Sequence, residues 1–260
     1  NKLILRLIER TEGRFKVAYS ISGTALEQFS LYAPEVIESF QALAQTGCVE
    51  FLNETYYHSL ASLIDKDEFV SQVDMHRKKI AELFDYHPKV FRNTELIYSD
   101  EIAKSVKQMG FKVQLAEGAK HVLAWRSPNY VYANYPDGDL TLLLKNFQLS
   151  DDIAFRFSQH SWQGFPLTSE KFVSWLSQIE NPDCINLFMD YETFGEHQWQ
   201  QTGIFDFLEH LPFEVLNRSD FDFATPSEVA ERYTVRDKVS SVSPMSWADE
   251  ERDLTAWLGN

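Results

Sequence analysis

The chain has 260 residues, 44% of them hydrophobic and 24% charged, with a formal net charge of −15. That length supports one large domain with a sizeable core, and the composition is that of an ordinary soluble globular protein. The acidic balance argues against nucleic acid or an anionic membrane surface as partner, since both would repel it. No apolar run approaches the length of a bilayer span.

The first residues, Asn1-Lys2-Leu3-Ile4-Leu5-Arg6-Leu7-Ile8-Glu9-Arg10, set Leu3, Ile4, Leu7 and Ile8 on one helical face. They contain no initiator Met and no signal-peptide layout, and read as the middle of a protein whose own N-terminus lies further upstream. Phe15 to Ser22 reads as a strand. Thr24 opens a long helical stretch that ends near Gly47, with Pro34 splitting or kinking it. Val49 to Leu52 is the next strand. Asp65 to Phe84 is a helix that buries Phe69, Val73, Ile80 and Phe84, and His87-Pro88 ends it. Lys89 to Asn93 is a strand, Ser99 opens a helix over Asp100 to Met109, and Phe111 to Leu115 is a strand after Gly110.

The stretch 121–167 is rich in aromatics and turns, such as Tyr135-Pro136-Asp137-Gly138-Asp139, and holds one strand, Leu140 to Lys145. It reads as an elaborated loop region over an active face. Alternation then resumes with a helix near Ser169 to Ile179, a buried strand Cys184 to Met189, a helix near Ile204 to His210 and a strand Phe213 to Leu216. Thr225 caps a short last helix with Pro226 in its first turn. The far end, Glu251 to Asn260, stops in mid-element. Strand–helix alternation of this kind predicts a parallel α/β sheet, closed or open, in one domain over 1–260.

Cys48 and Cys184 both sit in apolar runs and read as reduced thiols, which points to a reducing, cytoplasmic compartment. The seven histidines, His58, His76, His87, His121, His160, His197 and His210, are scattered without ligand spacing, so no metal or other cofactor is expected.

Three strand ends turn acidic and aromatic at once. They are Val49-Glu50-Phe51-Leu52-Asn53-Glu54-Thr55-Tyr56-Tyr57-His58, Val90-Phe91-Arg92-Asn93-Thr94-Glu95, and Asp190-Tyr191-Glu192-Thr193-Phe194-Gly195-Glu196-His197. Parallel α/β enzymes carry their chemistry at such ends, and glycoside hydrolysis needs two carboxyl groups with different tasks. Glu95 and Asp190, on different strands, are the candidate pair. Each acid taken alone is more often a cap or an ion-pair partner.

Asp190 to His197 resembles the fourth conserved region of glycoside hydrolase family 57, a group of α-glucan-active enzymes. Phe91-Arg92-Asn93-Thr94-Glu95-Leu96 stands where that family carries its nucleophile. Gly47-Cys48-Val49-Glu50-Phe51-Leu52 is similar to the second region, continued by Tyr56-Tyr57-His58-Ser59. Ser246 to Asp253 is similar to a late segment of the amylase-like members. The family's first region, His-x-His-Gln-Pro, is absent; it belongs to the first barrel strand and is expected upstream of Asn1.

The resemblance implies a (β/α)7-type barrel, an incomplete TIM-like barrel lacking its first strand, and a retaining α-amylase-type hydrolase of α-1,4-glucans or maltooligosaccharides. Glu95 would be the nucleophile and Asp190 the general acid/base, with carboxyl groups about 5–5.5 Å apart. Asp190 must then be protonated at rest, its pKa raised by desolvation or by the charge on Glu95. Glu50, His58, Glu192 and His197 are candidate substrate contacts, although Glu192 and His197 could simply pair with each other. Trp125 is the leading candidate for an aromatic sugar platform, ahead of Trp162, Trp199 and Tyr57; most of the other aromatics must be core. A 4-α-glucanotransferase with the same pair, a metal-dependent hydrolase on a related barrel, and a non-catalytic glucan-binding homologue are the competing readings.

Overall fold

The computed structural model describes residues 1–258. Helix α1 (Lys2–Arg10) buries Ile4, Leu7 and Ile8 and precedes strand β1 (Val17–Tyr19). Ser22, rather than Thr24, caps the next helix: its side chain accepts the Ala25 N–H, and α2 (Gly23–Tyr32) follows. Ala33 breaks the stretch before Pro34, since the residue preceding a proline is pushed out of the helical region, and α3 (Pro34–Gln45) begins on the far side. Strand β2 (Val49–Phe51) leads to a short α4 (Ala61–Ile64) and the long α5 (Lys66–Phe84), capped by the Asp65 carboxylate on the Asp67 and Glu68 amides. Strand β3 (Val90–Arg92) ends in a single 3-10 turn, Thr94–Leu96. Then come α6 (Asp100–Gln108), β4 (Val113–Glu117) and a short α7 (Lys120–Leu123).

The stretch 121–167 also holds β5 (Tyr132–Asn134), β6 (Thr141–Lys145) and α8 (Phe147–Ala154). After α9 (Ser169–Leu176) the chain continues through two further 3-10 turns, Tyr191–Thr193 and Gln200–Thr202, to α10 (Ile204–Leu216), α11 (Pro226–Arg232), β7 (Asp237–Val239) and α12 (Thr255–Leu258).

The sheets are mostly parallel. β1 pairs with β2, β3 with β4, and β4 with β6, all parallel, while β5 lies antiparallel to β6 and carries β7 at its other edge. An isolated parallel bridge, Asn53 to Phe91, joins the end of β2 to β3; another, Lys145 to Asn186, joins β6 to the segment 184–189. Side chains alternate across this array as the pleat requires. Phe91, Ala116, Leu142 and Leu144 pack outward with Phe69 and Val73 of α5 and with Ile102 and Val106 of α6. Val90, Val113, Leu115 and Leu143 form a separate apolar layer that also takes in Ala18 of β1 and Cys184 and Phe188 at the far side.

Two expected strands come out differently. Cys184 to Met189 is extended but only half-buried, with one bridge at Asn186, because its outer edge meets no further strand among the described residues. Phe213 to Leu216 is helical and forms the end of α10. Pro212 removes one amide donor, yet Ile204, Phe207, Leu208, Leu211 and Val215 keep helical spacing across it and are buried together. Tertiary burial therefore outweighs the local break. Both cysteines are free, Cys48 buried and Cys184 half-buried. No helix among the described residues is long and apolar enough to cross a membrane.

Phe51 anchors the layer between β2 and the helices: it is fully buried and stacks on Phe84 with ring centroids 4.6 Å apart. Phe51→Ala should cost about 3–5 kcal/mol of stability, as large aromatic truncations in closed cores do. The urea midpoint at unchanged slope measures it.

Candidate active site

The carboxylates and cations that matter follow the C-terminal ends of the parallel strands. Ser20 follows β1, Glu54 follows β2, Glu95 follows β3, Glu117 and Lys145 end β4 and β6, and Asp190 follows the segment 184–189. A parallel array brings such residues to one edge whatever their distance in sequence. A cleft of about 160 Å³ opens there, lined by Glu95, Lys145, Asp151, Phe155, Asp190 and Trp247, among others.

Glu95 stands on the 3-10 turn with φ +53° and ψ +28°, the left-handed region. Each oxygen of its carboxylate meets one donor group. The His58 Nε2 lies 2.9 Å from Oε1, and the Trp247 indole N–H donates to Oε2 at 2.8 Å. The same turn is bonded through its main chain, where the Ser246 hydroxyl and the Trp247 amide both donate to the Glu95 carbonyl.

His58 reaches in the other direction too. Its Nδ1 lies 2.9 Å from Oε2 of Glu54, whose other oxygen accepts from the Ser20 hydroxyl at 2.7 Å. With one carboxylate on each ring nitrogen, the imidazole is held protonated: its pKa is pushed up to about 9, first by the bond to Glu54 and then by that to Glu95. Burial opposes ionisation of Glu54, but His58, Arg92, His76 and Ser20 together hold its carboxyl below the usual range. Glu95 is held below that range as well, chiefly by the His58 bond.

Asp190 is different. No protein donor among the described residues bonds its carboxyl. Exposed as a residue, it still lines the cleft, and the withdrawal of water there pushes its carboxyl up. The charges of Glu192 and Glu95 add to the rise, and Arg92 and His197 oppose it.

Beneath the pair lies a buried ionic group. Lys145 contacts Asp151 at 3.2 Å, Arg252 contacts Asp151 at 3.1 Å, and Glu117 stands 4.0 Å from Lys145 and 3.9 Å from Arg252. Glu117 is pushed up by burial despite these cations. Gly118, whose amide donates to Glu117, must be glycine: a Cβ there would collide with the Lys145 carbonyl oxygen. Arg92 and Lys145 both lie over the Trp247 ring, 5.0 and 4.7 Å from its centroid.

The structure thus brings Glu95, Asp190 and His58 together and places the other candidates elsewhere. Glu50 is buried, and its carboxylate is occupied by the amide and hydroxyl of Ser227 in the first turn of α11. Burial pushes that carboxyl up, opposed by the bonds to Ser227. Trp125 is 90% exposed and does not line the cleft. Glu192 and His197 are exposed on the turn after Asp190, linked only through the His197 amide and the Glu192 carbonyl. Glu54, Arg92, Trp247 and Phe155 received no role from the sequence. Signals were available in the Glu54–His58 spacing on a strand-end loop, in the place of Arg92 three residues before Glu95, and in the likeness of Ser246 to Asp253 to a late segment of the family; that Trp247 touches Glu95 follows only from tertiary structure. Among the described residues no group of three or more His, Cys, Asp or Glu is arranged to hold a metal ion.

The profile of glycosyl hydrolase family 57 matches residues 1–241, and the chain belongs to that family. A Methanocaldococcus jannaschii protein provisionally named an alpha-amylase is 48% identical over the whole chain, which spans 55% of that relative's length. An alpha-amylase of Pyrococcus abyssi is 22% identical over 54% of the chain, and 21% of that relative is covered. Among solved structures, a 4-alpha-glucanotransferase from Thermococcus litoralis superposes with a TM-score of 0.74 at 20% identity, over 92% of this chain and 37% of that one. A family 57 branching enzyme from Thermococcus kodakaraensis, solved with glucose and additives, gives 0.78 at 12% identity, over 99% and 69%. At such identities the likeness speaks for the fold alone.

The raised pKa of His58 fixes a pH dependence. The folded chain holds this proton more tightly than the unfolded one, so the contribution is fully present below about 6.5, the ordinary histidine value, and is lost as pH rises through about 9. The ring is partly exposed, and solvent screening leaves on the order of 1 kcal/mol. His58→Gln should flatten the fall in stability between pH 6.5 and 9, read from denaturant midpoints across that range.

Proposed function

We propose, for this member of glycosyl hydrolase family 57, that it carries the catalytic machinery of a retaining α-1,4-glucan hydrolase of the α-amylase type, with Glu95 as nucleophile and Asp190 as general acid/base. One observation carries the reading: two carboxyl groups share a single cleft, and their surroundings push them in opposite directions. Such a split is what double displacement requires of its two acids. The provisional amylase name of the relative that is 48% identical supports the substrate class.

In the first step a Glu95 oxygen attacks the anomeric carbon, the bond to the glycosidic oxygen breaks, and Asp190 gives that oxygen its proton. The leaving chain departs with its new hydroxyl, and the sugar stays esterified to Glu95. In the second step water attacks the same carbon from the side just vacated, Asp190 takes the water's proton, and Glu95 leaves as a carboxylate. Configuration is retained because the carbon is inverted twice. His58 and the Trp247 N–H hold Glu95 ionised and oriented before the attack, and they receive its returning charge in the second step. The apolar side chains of Phe155, Phe188 and Met189 on the cleft offer a surface for the C–H face of a pyranose ring.

The same reading takes the sheet as part of a (β/α)7-type barrel. The parallel succession β1, β2, β3, β4, β6 and the segment at Asn186 encloses one apolar layer that reaches from Ala18 to Phe188, as a curved wall does. The two free thiols accord with a cytoplasmic setting.

Incubation with maltoheptaose should give shorter maltooligosaccharides, and Glu95→Gln or Asp190→Asn should each lower kcat by about 10³-fold or more, as loss of one member of a catalytic unit does. Longer products would move the assignment to a glucanotransferase. Full activity in either variant would refute the pair. The pH profile of kcat/KM should be bell-shaped, its acid limb set by Glu95 below the ordinary 4.5 and its alkaline limb by Asp190 above the ordinary 3.8.

A further inference from the structure

The residues just before α12 are fastened closely to the turn that carries Glu95. Met245 forms an antiparallel bridge with Tyr98, with bonds of 3.0 and 2.9 Å between their main chains. Ser246 and Trp247 both donate to the carbonyl of Glu95 itself. At the other end, Arg252 bonds the Trp247 carbonyl at 2.9 Å and the buried Asp151 carboxylate at 3.1 Å. Between these two anchorages the Trp247 indole N–H reaches Oε2 of Glu95 at 2.8 Å, under the cations of Arg92 and Lys145. The profile match ends at residue 241, short of this segment.

We propose that Trp247 is a positioning residue for the nucleophile, and that the segment 245–252 completes the active site by setting the direction and the charge of the Glu95 carboxylate. This rests on the assignment of Glu95 as nucleophile. A carboxylate bonded by one donor can rotate about its last torsion. One bonded on each oxygen, by groups from two different parts of the chain, cannot rotate without breaking a bond. A cation over the ring face draws density from the indole and makes its N–H a stronger donor. The donor favours the ionised form of Glu95 at rest, and again when the glycosyl-enzyme opens.

The charged and titratable groups around Glu95 are His58 and Arg92 on the strand-end side, Asp190 across the cleft, and Lys145, Asp151 and Arg252 on its floor. Trp247→Phe keeps a ring in place and all of these groups, and deletes only the donor. Its kcat on maltoheptaose should fall about 10- to 100-fold, the value of a hydrogen bond to a charged group. KM should change by less than about threefold, because the loss falls on the reacting state. The acid limb of kcat/KM should move to higher pH, because the ionised form of Glu95 has lost a donor; a merely structural role would leave it in place. An unchanged kcat and an unmoved acid limb in an active, folded variant would overturn the proposal.

A second readout needs no turnover and leaves Trp247 in place. In the 15N-tryptophan-labelled protein, the indole proton resonance that titrates with Glu95 should be present in the wild type and lose its pH dependence in Glu95→Gln. If no indole resonance responds to that titration, Trp247 does not position Glu95. If the wild type leaves maltoheptaose intact, the amylase reading falls, and the indole titration still decides this one.

Discussion

Glu95 keeps its charge because a cation stands between it and a second carboxylate. Glu54 is buried and needs a partner, since an unpaired charge out of water is costly. His58 supplies that partner through Nδ1, which leaves Nε2 for Glu95. One side chain thus meets a demand of the fold and a demand of the chemistry together. Both His58 and Glu95 sit in the left-handed region, with φ +51° and +53°. Such backbones cost about 1–3 kcal/mol each outside glycine and persist where the surroundings over-determine them. Here the bonds from Ser246 and Trp247 to the Glu95 turn do so.

Asp190 shows what the absence of such a clamp does. No protein donor among the described residues bonds its carboxyl; it faces water loss and two like charges, and its pKa rises where that of Glu95 falls. The asymmetry has a structural origin. Glu95 follows β3, a fully buried strand that pairs along its length with β4 and meets Asn53, beyond β2, through one bridge, while Asp190 follows a half-buried segment attached to the sheet by one bridge at Asn186 alone. A carboxyl on the well-packed strand acquires fixed partners, and one on the loosely held edge does not. On the proposed assignment, the two roles of a double displacement would map onto how firmly each carboxyl's segment is held by the sheet.

The order of strands and helices was legible because hydrophobic spacing and caps are local signals. Ser99, Asp65 and Thr225 cap the helices that they open, and the break at Pro34 falls where the proline rule puts it. Local signals failed where burial decided the outcome, as in the end of α10 beyond Pro212 and in the half-buried segment before Asp190. In the site, Glu95, Asp190 and His58 were legible as residues on strand ends. Glu50 lies within β2, four residues before Glu54 and so on the same face by alternation, but at its earlier position along the strand its carboxylate meets Ser227 of α11 and not the cleft. Trp247 meets Arg92, and Arg252 meets Asp151, across more than 100 positions of sequence, a distance no spacing rule spans.

The central claim is that Glu95 forms a covalent bond to the sugar. It is tested most directly by reacting the protein with an activated fluoro-α-glucosyl fluoride, which slows release of the glycosyl-enzyme, and sequencing the modified peptide by mass spectrometry. The account predicts one added fluoroglucosyl unit, carried on Glu95, with none on the Glu95→Gln protein. A label on another carboxylate, or glucan cleavage that releases product of inverted configuration without any label, would contradict it.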